Sequence, residues 1–333
     1  MKRRMLVATF AVAGLLLANA ATAQPAMKIG LATINDGQHE LAKRFAAQME
    51  KQVPGKLKIE IYPADQLGSG PRLIEGLRLG TVEGWIGPPE FLVGQDPRYQ
   101  VTGAPGLMQD MAHGYRLLKD PAFRNALLSF GDAQGIKGIS GIINGPNFYA
   151  TRKPVRGLAD FKGMKMRVFG SPMHTVAMEK IGATGVPMAP GDALIALGSG
   201  AIDGNRTAMS LLVAFKYFDV VKHATQVDGD ALIFVIFAIG KGWYDKLPPD
   251  VQKAMLESAA RVEEDVRNFV FERQRAAEAT WRESGAEILK ITGPEQAEFV
   301  RRMLSVGDEV SIKNPRVKEA YTLMVERAKA TRQ

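Results

Sequence analysis

Apolar positions in this chain switch between a two-residue and a three-to-four-residue period, and the switching lays out the elements. Met27 to Thr33 and Leu57 to Tyr62 alternate as strands do, while Gln38 to Gln52 between them spaces Leu41, Phe45 and Met49 along one helical face. The chain therefore opens as β-α-β. "PADQLGSGPR" then turns into a helix over Leu73 to Leu79, with Ser69 or Gly70 near its cap and Pro71 suited to the first helical position. Backbone N–H groups freed at such a helix start can receive an anion. Further on, Met164 to Phe169 alternates again between Gly163 and the turn Gly170-Ser171-Pro172, which places Met164, Met166 and Val168 on one face and Lys165, Arg167 and Phe169 on the other.

Two stretches echo each other. "LRLGTVEG", Leu77 to Gly84, and "LGSGAIDG", Leu197 to Gly204, both read as a helix end, a Gly cap and the entry to a short strand. Either they are two unrelated helix exits or the chain contains two similarly built α/β lobes. Val251 to Ser284 holds no Gly or Pro and repeats apolar residues at Val251, Met255, Val262, Val266, Phe269 and Trp281. Unbroken, that helix is roughly 50 Å long, more than one small lobe can match, so it is expected to run across both. Gly285 suits its end, Glu287 to Ile291 can return as a strand, and two more helices fit Pro294 to Ala330.

Composition decides the compartment. Lys2-Arg3-Arg4, the apolar run Met5 to Leu17 and the small residues Ala21-Thr22-Ala23 form a secretory signal pattern, expected to be cleaved after Ala23, too short for a membrane anchor. The chain contains no cysteine, so disulfides and thiolate metal sites are excluded and ordinary apolar cores must hold it. Its length favours two domains. Part of the net charge of +8 belongs to the signal, and the scattered remainder favours small anions at most, not nucleic acid. The longest later apolar run, Ala231 to Gly240, is about half of a spanning helix.

Catalytic and cofactor motifs do not emerge. His39, His113, His174 and His223 are far apart without metal-binding spacing, and neither a serine nucleophile elbow, a dinucleotide loop nor a phosphate loop occurs. No cofactor or metal is expected. Arg167 differs in kind. Arginines on strands are more often solvated surface groups, but a guanidinium grips a carboxylate through two parallel hydrogen bonds as lysine cannot, and the turn after it suits the mouth of a cleft.

"LADFKGMKMRVFGSPMH", "IGATGVPMAPGDALIALGSGAIDG", "YPADQLGSGPRLIEGLRLGTVEG" and "WYDKLPPDVQKAM" together resemble the solute-binding proteins of tripartite ATP-independent periplasmic (TRAP) transporters, of the DctP family. The resemblance covers nearly all of the chain beyond the signal. It implies an α/β clamshell of two lobes with hinge crossings and a helix spanning both, a monomer free in the periplasm. It also implies an organic acid held by Arg167 and delivery to the transporter's membrane permease, driven by ion gradients rather than ATP. The expected segments are signal 1–23, first lobe 24–146, second lobe 147–231, a return to the first over 232–272, and completion of the second with the C-terminal helices over 273–333. Hinges are expected near Asn144 to Thr151 and Gly229 to Phe234.

Two departures bear on the ligand. A second arginine common in the family falls on Pro146 of "NGPNFYATRKPV", and its usual asparagine falls on Thr207 of "DGNRTA", with Arg206 where an acid is frequent. Thr207 can still donate through its hydroxyl. Arg206 is a ligand candidate too: turned inward it would replace the lost cation and favour a second acidic group. Neighbours on an extended segment face opposite ways, however, so with Thr207 in the cleft the outward Arg206 and a monocarboxylate with an apolar body are preferred. Phe169, Trp85, Phe148 and Tyr149 are candidates for the cleft walls, with Phe91, and Glu75 for a contact beside the Gly-rich turn. Two other readings use the same residues: a receptor presenting its ligand to a sensor kinase, and a secreted enzyme acting on small acids.

Overall fold

A computed structural model describes residues 25–332, so the signal pattern lies outside the described residues. Ten strands occur: β1 (Ala26–Leu31), β2 (Lys58–Tyr62), β3 (Gly84–Gly87), β4 (Ile136–Thr151), β5 (Lys165–Val168), β6 (Thr184–Pro187), β7 (Gly204–Ala208), β8 (His223–Val227), β9 (Leu232–Gly240) and β10 (Glu287–Ile291). The continuous order is β2-β1-β3-β9-β4-β7-β5-β6, with β8 on β4 and β10 on β8. Parallel strands β2-β1-β3 form one lobe and β6-β5-β7 repeat the same order in the other. Each lobe is thus wound β-α-β-α-β. The two echoed sequence stretches occupy equivalent places: helices Gly70–Leu79 and Pro190–Ser199 end in left-handed Gly80 (φ 73°) and Gly200 (φ 81°), then lead toward β3 and β7.

Strand β4 joins the halves. Through Pro146 it pairs with β9; from Asn147 it pairs with β7 and from Phe148 with β8. The ladder slips between Ile143 and Pro146, where Gly145 adopts φ 138°, a conformation that a side chain would strain. The return crossing lies alongside, Asn147 Nδ2 donating to the Ala231 carbonyl at 2.8 Å.

Helix Pro249–Glu283 spans 35 residues, about 52 Å at the standard rise, and closes at Gly285 (φ 76°). Its buried face carries Val251, Met255, Val262, Val266, Val270 and Trp281. Val270 replaces the expected Phe269 in that stripe, because a step of four from Val266 keeps the face in phase; Phe269 is only half-buried. The two terminal helices part company. Helix Gly293–Ser311 packs on helix Pro172–Lys180 of the second lobe. Helix Pro315–Ala330 returns to the first lobe, where the Ala328 carbonyl accepts from His113 Nε2 at 2.8 Å and Arg327 pairs with Asp120 at 2.7 Å. Among the described residues no helix is long and apolar enough to cross a membrane.

Candidate functional site

Strand ends build the cavity. In both lobes the carboxyl ends of the parallel strands point to the same space, as ligand crevices of open α/β sheets do. Ala32, Thr33, Gln38, Gly70, Trp85 and Phe91 wall it from the first lobe; Phe169, Pro190, Thr207 and Leu211 wall it from the second; Asn144 and Ile233 belong to the crossings. The space they enclose is narrow, the two walls lying close together. Phe91 and Phe169 meet edge to face across the lobes, ring centres 5.8 Å apart.

Arg167 is wholly buried on β5, paired in register with Asn205 of β7. Its Nε donates to the Met188 carbonyl at 2.9 Å, its Nη1 lies 3.5 Å from Asn205 Oδ1, and its guanidinium stacks 4.6 Å from the Phe169 ring centre. Among the described residues Nη2 has no partner. Because a guanidinium only donates, Asn205 turns its oxygen to Arg167 and leaves Nδ2 free; Thr207 Oγ1 and Ser210 Oγ are also buried and unpaired. Thr207 reaches the wall itself, while Arg167 and Asn205, in contact with each other, stand behind Phe169. Burial lowers the Arg167 pKa to about 10, still high enough to keep its charge at neutral pH. A carboxylate supplies the acceptors this cluster lacks.

Arg206 takes the opposite face of β7, as alternation requires, but that face is not solvent. His174 of helix Pro172–Lys180 contacts Arg206 and Phe299 of helix Gly293–Ser311 packs on its neighbour Tyr149, so the expected outward Arg206 is instead buried. It pairs with Asp230 through Nε at 3.0 Å and through Nη2, while Tyr149 Oη donates to Asp230 at 2.9 Å and the Ala231 N–H at 2.7 Å. Burial opposes the Arg206 charge, yet Asp230 outweighs it and raises the pKa. The same burial, with Asp230 adding to it, lifts the Tyr149 phenol far above its usual range.

Arg206 Nη1 also contacts His174 Nδ1. Since the arginine only donates, His174 must accept there and carry its proton on Nε2, which lies 3.5 Å from Glu90 Oε1 of the first lobe. Burial lowers the His174 pKa below 6.5, and burial does the same to His113, whose Nδ1 accepts from the Gln109 N–H. The unfolded chain protonates these rings at a higher pH than the folded one. Their contribution to stability is therefore present above about pH 6.5 and is lost as pH falls toward the lowered folded values. Melting temperature is expected to drop between pH 7.5 and 5.5, with a shallower slope in His174→Asn; equal slopes would exclude His174 as a source.

The sequence-derived candidates thus divide. Trp85, Phe169 and Thr207 line the cavity, with Arg167 directly behind Phe169. Phe148 does not: it shares the Thr207 face of the sheet but lies deeper, in the second-lobe core with Leu197 and Trp281. Tyr149 packs against Phe161 and Phe299 on the other face. Glu75 is 51 % exposed and pairs with Arg78 at 3.0 Å, since its helix turns Leu73 and Leu77 inward instead. Missed by pattern were Gln38, Asn144, Asn205 and Asp230. Only Asn205 carried a usable signal, two residues before Thr207 on one strand face.

Residues 31–314 match the DctP family, described as bacterial extracellular solute-binding protein, family 7. The chain belongs to this family. It is 30 % identical over 259 residues to a solute-binding protein of Verminephrobacter eiseniae, covering 74 % of this chain and 76 % of that one. It is 28 % identical over 292 residues to the 2,3-diketo-L-gulonate-binding periplasmic protein YiaO of Escherichia coli, covering 87 % and 88 %. Its fold matches a TRAP periplasmic solute-binding protein from Desulfovibrio salexigens with bound orotic acid, at TM-score 0.87 and 22 % identity, over 92 % of this chain and 99 % of that one. Family and fold are those of solute-binding receptors rather than enzymes, and the two-lobed architecture is that of the TRAP receptors.

Proposed function

We propose that this chain is the periplasmic receptor of a TRAP transporter and captures an organic acid whose carboxylate docks on Arg167 Nη2, Asn205 and Thr207. The observation that carries this reading is a buried, charged guanidinium with one nitrogen unpaired, surrounded by other donors at the edge of an interlobe cavity. Arg206 adds no second cation, because Asp230 neutralises it. One net positive charge favours a monocarboxylate, and Trp85, Phe91 and Phe169 favour an apolar or planar body. The acids in the names of the relatives, diketogulonate and orotate, support a carboxylate ligand.

Capture works by closure. The solute gains contacts to both walls only when the lobes meet, so binding favours the closed form, with bending at Gly145 and at Gly229 (φ 91°). The closed receptor then presents the acid to the permease. Mass spectrometry of compounds released from the gently denatured protein is expected to find a monocarboxylic acid. Adding that acid back to stripped protein should reduce the radius of gyration by solution scattering. An unchanged profile at saturation would count against closure.

A further inference from the structure

Asp36 sets the polarity of one part of the cavity wall. It caps the helix Gly37–Gln52, where its Oδ1 accepts the backbone N–H groups of Gln38 at 3.1 Å and His39 at 3.2 Å. The carboxylate is thereby fixed by the chain itself. Its Oδ2 accepts two side-chain amides, Gln38 Nε2 at 3.3 Å and Asn144 Nδ2 at 3.2 Å. All three residues are buried.

A carboxylate can only accept, so both amides must turn nitrogen toward Asp36 and oxygen away from it. Gln38 Oε1 and Asn144 Oδ1 are left buried and without a protein partner, and both residues line the cavity beside Thr33, whose hydroxyl is also unpaired. The two ends of the cavity are chemically opposite. Around Arg167 the unpaired groups can donate; at Asp36 they are two amide oxygens, that of Asn144 set against Gly37, and the Thr33 hydroxyl, which donates or accepts.

We propose that Gln38 and Asn144, held by Asp36, form a donor-selecting subsite. The solute is an acid bearing one carboxylate for Arg167 and a hydroxyl or N–H at its far end, and a second carboxylate at that end is rejected. Two amide oxygens repel such a carboxylate, and against them the wall residues there set the single hydroxyl of Thr33 and no cation. The inference rests on the reading that Arg167 receives the first carboxylate. Asp36 acts as a positioning residue, since it orients the amides and is not itself among the wall residues.

Calorimetry on the ligand-stripped protein with two matched series tests it: benzoate, 4-hydroxybenzoate and terephthalate, then hexanoate, 6-hydroxyhexanoate and adipate. In at least one series the hydroxy acid is expected to bind tenfold or more tightly than the plain acid, with the diacid weakest. Asp36→Asn keeps the helix cap but offers an N–H to the amides, which then turn their own nitrogens to the cavity. Its expected signature is reversal: diacid affinity rises at least tenfold relative to the hydroxy acid. If that variant does not fold, Gln38→Met carries the test and should abolish the hydroxyl advantage, so that the hydroxy acid binds no more tightly than the plain acid. Equal affinity for plain and hydroxy acids, or a preference for diacids in the wild type, overturns the subsite while binding that still depends on Arg167 leaves the carboxylate reading standing. Failure of every acid to bind overturns both.

Discussion

Replacing Arg167 by alanine is expected to weaken binding of the co-purified acid by about 2–5 kcal/mol, roughly thirtyfold to several thousandfold, the range for removing one partner of a buried charged pair. The magnitude follows from position. Arg167 is fully buried, so its unpaired Nη2 keeps its charge in a poorly solvated setting where a carboxylate is strongly favoured. Removing the side chain takes away the charge and the anchor for Asn205, whose oxygen faces Nη1. Arg167→Lys should also lose affinity, because an ammonium cannot hold the Met188 carbonyl through Nε while offering a second nitrogen in the same plane. Calorimetry on both variants decides the matter. Unchanged affinity in each would remove Arg167 from the site.

Asp230→Ala should be the most damaging single change to stability, at about 3–5 kcal/mol, since breaking a buried pair strands the remaining charge. Arg206 is 1 % exposed, and among the described residues no other carboxylate contacts it. Asp230 also accepts from Tyr149 and from the Ala231 N–H, so the loss reaches the return crossing. A double variant, Arg206→Met with Asp230→Leu, removes both charges and should recover part of the loss, because apolar replacement of a buried pair is often tolerated. Urea denaturation of the single and double variants provides the comparison. A double variant less stable than Asp230→Ala would show that the pair is held by more than mutual neutralisation.

These two arginines divide the second lobe's roles. They lie on opposite faces of one sheet, a strand apart, yet one is matched by a carboxylate of the protein and the other is not. A buried charge with an internal counter-ion supports the fold; one without it is available to a ligand. Exposure cannot tell them apart, as both are buried.

Much of this was legible in the chain. Period two between turns located β1, β2 and β5, the 34-residue stretch free of Gly and Pro located the long helix, and the paired helix exits marked the repeated lobes. Such features are local, because backbone hydrogen bonding and side-chain alternation act over a few residues. The same logic placed Thr207 and Arg206 on opposite faces of β7. It could not say what covered the second face, and so Arg206 was expected in solvent.

By itself the sequence determined the strand and helix periods, the absence of thiol chemistry and the presence of an arginine fork beside an aromatic ring. Tertiary structure alone decided which charges are neutralised. Asp230 meets Arg206 across 24 residues, and Asn144 meets Asp36 across 108. Polar partnerships of that kind depend on which elements are brought together and how deeply water is excluded, and neither quantity has a period along the chain. The cavity's donor end and its acceptor end both come from such distant pairings, which set the direction of every buried amide and the charge left for the solute.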